Sequence, residues 1–357
     1  MKISVGVRDA DEELLLKHRE ITLAGKRVET PTKSINKALA AEGFNEIFKN
    51  IDLKKIHKIK SDASEEQKFN KGILSSCSNE SLNFAFISYS DEIIPNSEDM
   101  EVIADVQYAY SDAAIVPLCP RIISKNTGEN LFCKFTDFVR EYLRIVETLN
   151  NKSVLGLIPT KLPRQYVPRI LDIYYTHDIT SFVLDSDGSA LYSNLSWLKS
   201  LQRKLYDLGI LEEGFLYNIN SGEGKFLKNA NTVLAKDFIA ITMGIDVIGT
   251  NHIPPPVSTD GWIKIKQSRN HGPRLFDPIT YGYVRKPDIS LPDAKKINIV
   301  RKYNETQQVK QILHEHNTVV DYIREKEQIA ANDVISKGAE IRKFVLSPGR
   351  QKSLFDK

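Results

Sequence analysis

From residue 84 to residue 256 the chain alternates short β-branched or aromatic runs with helical patterns, and that rhythm leaves few folds open. FAFIS at 84–88, MEVIADV at 100–106 and AAIVPL at 113–118 read as strands, followed by a helix over 135–150. SVLGLIP at 153–159 is the next strand and VPRILDIYYTHD a helix. TSFVLDSDG reads as a strand entering an acidic loop, LSWLKSLQRKLYDLG as a helix stopping at Gly209, and GFLYNIN as a strand. Such alternation implies parallel pairing, and this many units in one chain favour an α/β fold of the TIM (β/α)8 type over an open doubly wound sheet.

Upstream, Lys2 to Val7 and Glu20 to Leu23 are strand candidates, Pro31 interrupts any regular element, and Lys33 to Leu39 can start a helix. The stretch from Asn50 to Lys71 carries Lys54, Lys55, His57, Lys58 and Lys60; it suits a solvated helix face or, alternatively, a phosphate-contacting patch. After Pro256 the rhythm stops: short irregular strands or loops precede a polar helix over Val309 to Lys337, with Ile312, Val319, Val320 and Ile323 as its apolar stripe. The expected organisation is a barrel over 1–256, an irregular C-terminal extension packed on it over 257–345, and a mobile tail over 346–357.

With 357 residues, 41% hydrophobic and 27% charged, the chain is long enough to bury a sizeable core. Its formal charge of +3 decides nothing about nucleic acid, because local clustering can supply the field. Cys77, Cys119 and Cys133 are too few and scattered for a disulfide framework or a zinc knuckle. Without a basic head followed by an apolar core, or a run of about 18 apolar residues, a soluble cytoplasmic protein is expected.

The segment KDFIAITMGIDVIGTNHIPPP, Lys236 to Pro256, reads as a short helix stopped at Gly244, a buried strand, and a polar loop stiffened by Pro254 to Pro256. Asn251 and His252 therefore stand at a strand's carboxyl end, where a barrel places its chemistry; His252 suits a general base, or merely a turn cap. Asp185 and Asp187 flank Ser186 in LDSDG, so both can face a barrel mouth as an acid beside a base, or cap a turn. Asn218, Asn220 and Glu223 in LYNINSGEGK form a second polar strand end whose amides can pair with base edges, and the Gly222 and Gly224 backbone can approach a ligand closely. Trp262, Lys264, Lys266, Arg269 and Arg274 combine cations with an aromatic ring, fitting a nucleic-acid face or a lysine-protected edge strand. Asp246 is expected inside its strand, held by fixed donors.

Four stretches together resemble the tRNA-guanine transglycosylase family: ITLAGKRVETPTKSI, SDAAIVPLCP, MGIDVIGTNH and EHNTVVDYIREKEQIAANDVI. They are similar, in order, to that family's first hairpin, an aspartate-led strand, the nucleophile strand with Gly244 and Asp246, and the His-Asn helix with His316 and Asn317. The resemblance implies a TIM barrel that exchanges guanine for a 7-deazaguanine base in nucleic acid.

Departures restrict what carries over. Gly249 stands where the family has its nucleophilic aspartate, and a glycine cannot attack an anomeric carbon. Of the family's zinc ligands only His316 is matched, so no metal or other cofactor is expected. The family's base-reading glutamine falls near Pro159, its glycine pair near Asp185, and its paired carboxylate is only weakly matched by Asp91. The expectation is a transglycosylase-like protein acting on tRNA or DNA with relocated carboxylates at Asp185 or Asp187, helped by His252 and Asn251, with a homodimer or heterodimer as its possible assembly and no membrane partner. The alternatives are a catalytically silent nucleic-acid-binding paralogue or partner subunit, and an unrelated TIM-barrel enzyme on a small phosphorylated substrate.

Overall fold

The computed structural model describes residues 3–37, 42–149, 152–226, 230–253 and 272–347. It begins with a three-stranded antiparallel sheet, β1 (Ser4–Ala10), β2 (Lys17–Leu23) and β3 (Lys26–Thr30). Its β2–β3 turn is two residues long, and Ala24 and Gly25 both take positive φ, the geometry that matches strand twist.

Beyond Pro31 the strands become parallel. One sheet of six has the order β4 (Thr32–Lys33), β12 (Val247–Ile248), β10 (Leu216–Ile219), β9 (Phe182–Asp185), β8 (Val154–Pro159) and β7 (Ala114–Ile115). A second parallel pair joins β5 (Phe44–Ile51) to β6 (Leu82–Tyr89). Single parallel bridges connect the two sheets at both edges, Ile35 to Asn45 and Ser88 to Leu118. The strands alternate with helices, including α1 (Leu53–Ser61), α2 (Ala63–Leu74), α3 (Ser97–Tyr110), α4 (Pro120–Lys125), α5 (Gly128–Leu149), α6 (Val167–Thr176) and α7 (Leu195–Asp207). The result is a mixed α/β fold with eleven α-helices among the described residues.

Rings from β5 and β6 meet rings of the β10 region, although neither strand neighbours β10 in a sheet. Phe44 lies 5.7 Å from Phe215, Phe84 5.8 Å from Tyr217, and Phe86 5.1 Å from Tyr217. These tilted contacts fill the space between the two sheets with buried apolar area.

Three local expectations are corrected. MEVIADV lies in helix α3, not a strand: Asn96 caps it by accepting from Asp99 N at 2.9 Å, and Met100, Ile103, Ala104 and Gln107 form a buried stripe at helical spacing. Lys33 sits on strand β4 rather than starting a helix, because Thr32 and Lys33 pair with Val247 and Ile248. The single polar helix expected over Val309 to Lys337 is broken. A longer helix, Leu291–His316, ends where Asn317 turns left-handed at φ 58°, and Val320–Arg324, Glu327–Ala330 and Val334–Leu346 follow. Two of the four lysines of α1 are engaged in ion pairs, Lys55 with Glu65 and Lys60 with Glu98 and Asp99.

After the main sheet, β13 (Arg274–Asp277) and β14 (Gly282–Arg285) form a regular hairpin. It is joined by β11 (Thr232–Leu234), which comes from the connection between β10 and β12. Among the described residues no helix is long and apolar enough to cross a membrane.

Candidate functional site

Ladder partners in a parallel sheet share a face, so register identifies one layer of side chains. Val183 pairs with Tyr217, Tyr217 with Val247, and Val247 with Thr32; one step toward the carboxyl ends, Asp185 pairs with Pro159 and Ile219. The Tyr217 hydroxyl crosses to β5 and donates to Glu46 Oε2 at 2.5 Å, so Glu46 faces the same interior.

Glu46 is the most heavily bonded carboxylate there. Its side chain is 2% exposed, accepts from His252 Nε2 at 2.5 Å, and receives the Thr250 N–H at 3.1 Å. Burial works against its ionisation, but the His252 bond and charge, the Lys33 charge and the Tyr217 hydroxyl outweigh it and hold the carboxyl down at about 2. Phe48, two residues further along β5, stacks on the His252 ring with centroids 4.1 Å apart.

Gly249 leaves no room for a side chain beside Glu46. A Cβ at this position would stand 2.7 Å from the Asn218 carbonyl oxygen, 2.8 Å from a Tyr217 ring carbon and 3.0 Å from Glu46 Oε2. Glu46 and Tyr217 occupy the space a side chain would need. Gly249→Ala is therefore expected to destabilise the fold by about 2 kcal/mol, the usual scale of overpacking, as read by urea denaturation.

A chain of bonds links Glu46 and His252 to Asp185. His252 N donates to Asn220 Oδ1 at 3.0 Å, and Asn220 Nδ2 donates to Asp185 Oδ1 at 2.9 Å. Asp185 is 6% exposed, and burial pushes its carboxyl up to about 6 against the bonds from Asn220 and the Asp187 N–H. Lys33 lies beside the same loop. Its amine donates to Ser34 Oγ at 2.9 Å, Ile248 O at 3.1 Å and Thr250 Oγ1 at 3.3 Å, and burial pushes it down to about 8 although Glu46 pulls the other way.

Of the residues singled out in the sequence, Asp185, Asn220 and His252 come together. Asp187 does not join them: it takes a left-handed conformation at φ 44° and pairs with Lys161. Asn218 lies on the opposite face of β10 from Tyr217; its Oδ1 accepts from Ser186 Oγ at 2.6 Å. Glu223 stands 3.8 Å from Arg274 under the β13–β14 hairpin, and burial raises its carboxyl. Asn251 is exposed and accepts the Ile253 N–H at 3.0 Å. Asp91 caps α1 by accepting from Leu53 N at 2.6 Å. Gly222 makes its close approach to protein rather than to an open site, since a Cβ there would lie 2.3 Å from Gly188 O. Arg274 donates to Gly224 O at 2.7 Å and sits over the Phe226 ring. Trp262, Lys264, Lys266 and Arg269 lie outside the described residues.

Asp246, expected inside its strand, lies just before β12 (Val247–Ile248), but it is held by fixed donors as expected. It is buried, accepting Arg19 Nε and Leu216 N, each at 2.8 Å. His316 faces solvent beside Glu315, and among the described residues no group of three or more His, Cys, Asp or Glu side chains is placed to hold a metal ion. The residues present do not fit the zinc site of the family that the sequence resembles.

Sequence reasoning missed Glu46, Tyr217 and Lys33. A signal existed for Glu46: in FNEIFKNI it interrupts an alternating aromatic face between Phe44 and Phe48. Scans of the chain against protein-family models and against curated proteins each found no match.

Proposed function

We propose that the six-stranded sheet and the β5–β6 pair close into a (β/α)8 barrel, and that the protein is a transglycosylase of the guanine-exchanging type acting on tRNA or DNA. Closure is supported by the bridges at both edges and by aromatic contacts from β5 and β6 to β10. In the resulting order β5 and β9 face each other; Asp185 ends β9, and Glu46, the third residue of β5, reaches Thr250 and His252 just past the carboxyl end of β12, the end at which such barrels carry their sites.

The observation that carries the proposal is the connected series Asp185, Asn220, His252 and Glu46. Base exchange at C1′ needs a negative group beside an oxocarbenium-like centre and an acid for the departing base. Glu46 supplies the fixed charge, Asp185 ionises close enough to neutrality to give a proton to the departing base and take one from the incoming base, and His252, oriented by Glu46, positions the ring. Guanine as the base and nucleic acid as its carrier rest on the four matching stretches of sequence.

One observation favours the silent-paralogue reading instead: Glu46 is fully engaged and Phe48 covers one face of His252. Mass spectrometry of nucleosides from the native host separates the two. Deleting the protein should remove a 7-deazaguanine nucleoside, restored by the wild-type chain but not by Asp185→Asn; restoration by Asp185→Asn would assign the chain a silent role, and an unchanged nucleoside profile would overturn both.

A further inference from the structure

We infer that Asn220 is a positioning residue that leaves Asp185 a single working oxygen, with Oδ1 tied to two N–H donors and Oδ2 carrying and passing the proton. Its catalytic half rests on the transglycosylase reading; its protonation half does not.

The direction of the Asn220 amide is forced. A backbone N–H can only donate, so the atom facing His252 N at 3.0 Å must be Oδ1, and Nδ2 must then face Asp185. Asp185 Oδ1 accepts that amide at 2.9 Å and the Asp187 N–H at 3.2 Å. Two donors on one oxygen disfavour a proton there. Both donors given for the Asp185 carboxyl among the described residues fall on Oδ1, and none falls on Oδ2.

Asn220 is itself held from several sides. Its N–H donates to Thr250 O at 3.0 Å, its carbonyl accepts from Gly188 N at 2.8 Å, and its φ of 59° is a left-handed geometry that Asn tolerates better than most residues. One residue thus spaces the loop after β9 from the loop after β12. The other charged or titratable groups acting on Asp185 are Asp187 in its own loop, Lys161 after β8, and the buried Cys119 thiol after β7. Lys161 is paired with Asp187, so its charge is partly cancelled at Asp185.

The resulting step balances without a further reactant. As the C1′–N bond breaks, the bond's electron pair goes to the leaving base, which takes the proton from Asp185 Oδ2. The carboxylate left behind keeps its two N–H donors on Oδ1. When the incoming base bonds to C1′, its ring N–H proton returns to Oδ2.

The test is a carbon-13 NMR titration of side-chain carboxyls in the full chain, with the Asp185 signal identified by its loss in Asp185→Asn. Asn220→Gly keeps the left-handed backbone and removes the amide, and should raise the Asp185 midpoint by about one pH unit, the scale of one hydrogen bond to a charged acceptor. Asn220→Asp keeps an acceptor for His252 N but sets a second carboxylate beside the first, and should raise it further. An unchanged midpoint in both folded variants overturns the inference. Should neither variant fold, the wild type still decides. The infrared carbonyl stretch of protonated Asp185, taken as the difference from Asp185→Asn, should lie in the hydrogen-bonded range, and a free-carbonyl frequency overturns the inference. Midpoint shifts in a protein that performs no base exchange would uphold the role of Asn220 and remove the transglycosylase reading.

Discussion

Glu46→Gln is expected to lower stability at pH 7 by about 3 kcal/mol, because the carboxyl's pKa falls from 4.5 unfolded to about 2 folded and each unit is worth about 1.4 kcal/mol. The sign follows from proton counts. Between these two values the unfolded chain binds the proton that the folded chain refuses, so stability from ionised Glu46 is complete above pH 4.5 and fades as pH falls toward 2. Urea denaturation of wild type and Glu46→Gln should therefore differ most at neutral pH and converge on acidification. The loss has an identifiable origin: the glutamine leaves His252 and Lys33 facing a neutral amide, and its NH2 group only donates, so either the Tyr217 hydroxyl or His252 loses its acceptor.

Asp185→Asn is expected to do the reverse for stability and to remove activity. Burial raises this carboxyl from 3.8 to about 6, so between those values the folded chain holds a proton that the unfolded chain has lost. Stability declines as pH rises through that window, and at pH 7 ionised Asp185 costs about 3 kcal/mol. Asparagine keeps an oxygen for the Asn220 amide and the Asp187 N–H without that charge. The variant should melt at a higher temperature than wild type at pH 7, with the advantage disappearing near pH 4. It carries no exchangeable carboxyl proton, so base exchange should fall by at least about 100-fold, the lower range for loss of general acid catalysis. A gain in stability with a loss of function marks a group kept for chemistry rather than for folding.

How much of this was legible in the sequence depends on how far each residue's partners lie along the chain. Gly209 and Gly244 were read correctly as helix stops because a left-handed cap is a local requirement, and both take positive φ. The need of Asp246 for buried donors was legible because a carboxylate flanked by β-branched residues must find them, although it lies one residue before the strand rather than within it. MEVIADV was misread because Val102, Ile103 and Val106 suit either period, and the Asn96 cap that decides the matter lies four residues upstream of the run. Asp187 was assigned to the mouth on strand alternation, but the strand ends at Asp185 and the next residues turn. Glu46 was missed because Tyr217 and His252 lie 171 and 206 residues away, and a lone glutamate in an aromatic strand gains meaning only when those partners arrive. Gly249 is plain in the sequence; that Glu46 and Tyr217 fill the space beside it required the packing.

The measurement that bears most directly on the central claim is incorporation of labelled guanine into tRNA and into duplex DNA by the purified protein, with Asp185→Asn alongside. Time-dependent incorporation into one of the two nucleic acids is expected for the wild type, with at least about a 100-fold loss in the folded variant. Incorporation that is equal in both proteins, or absent from both while each still binds nucleic acid, would contradict that claim.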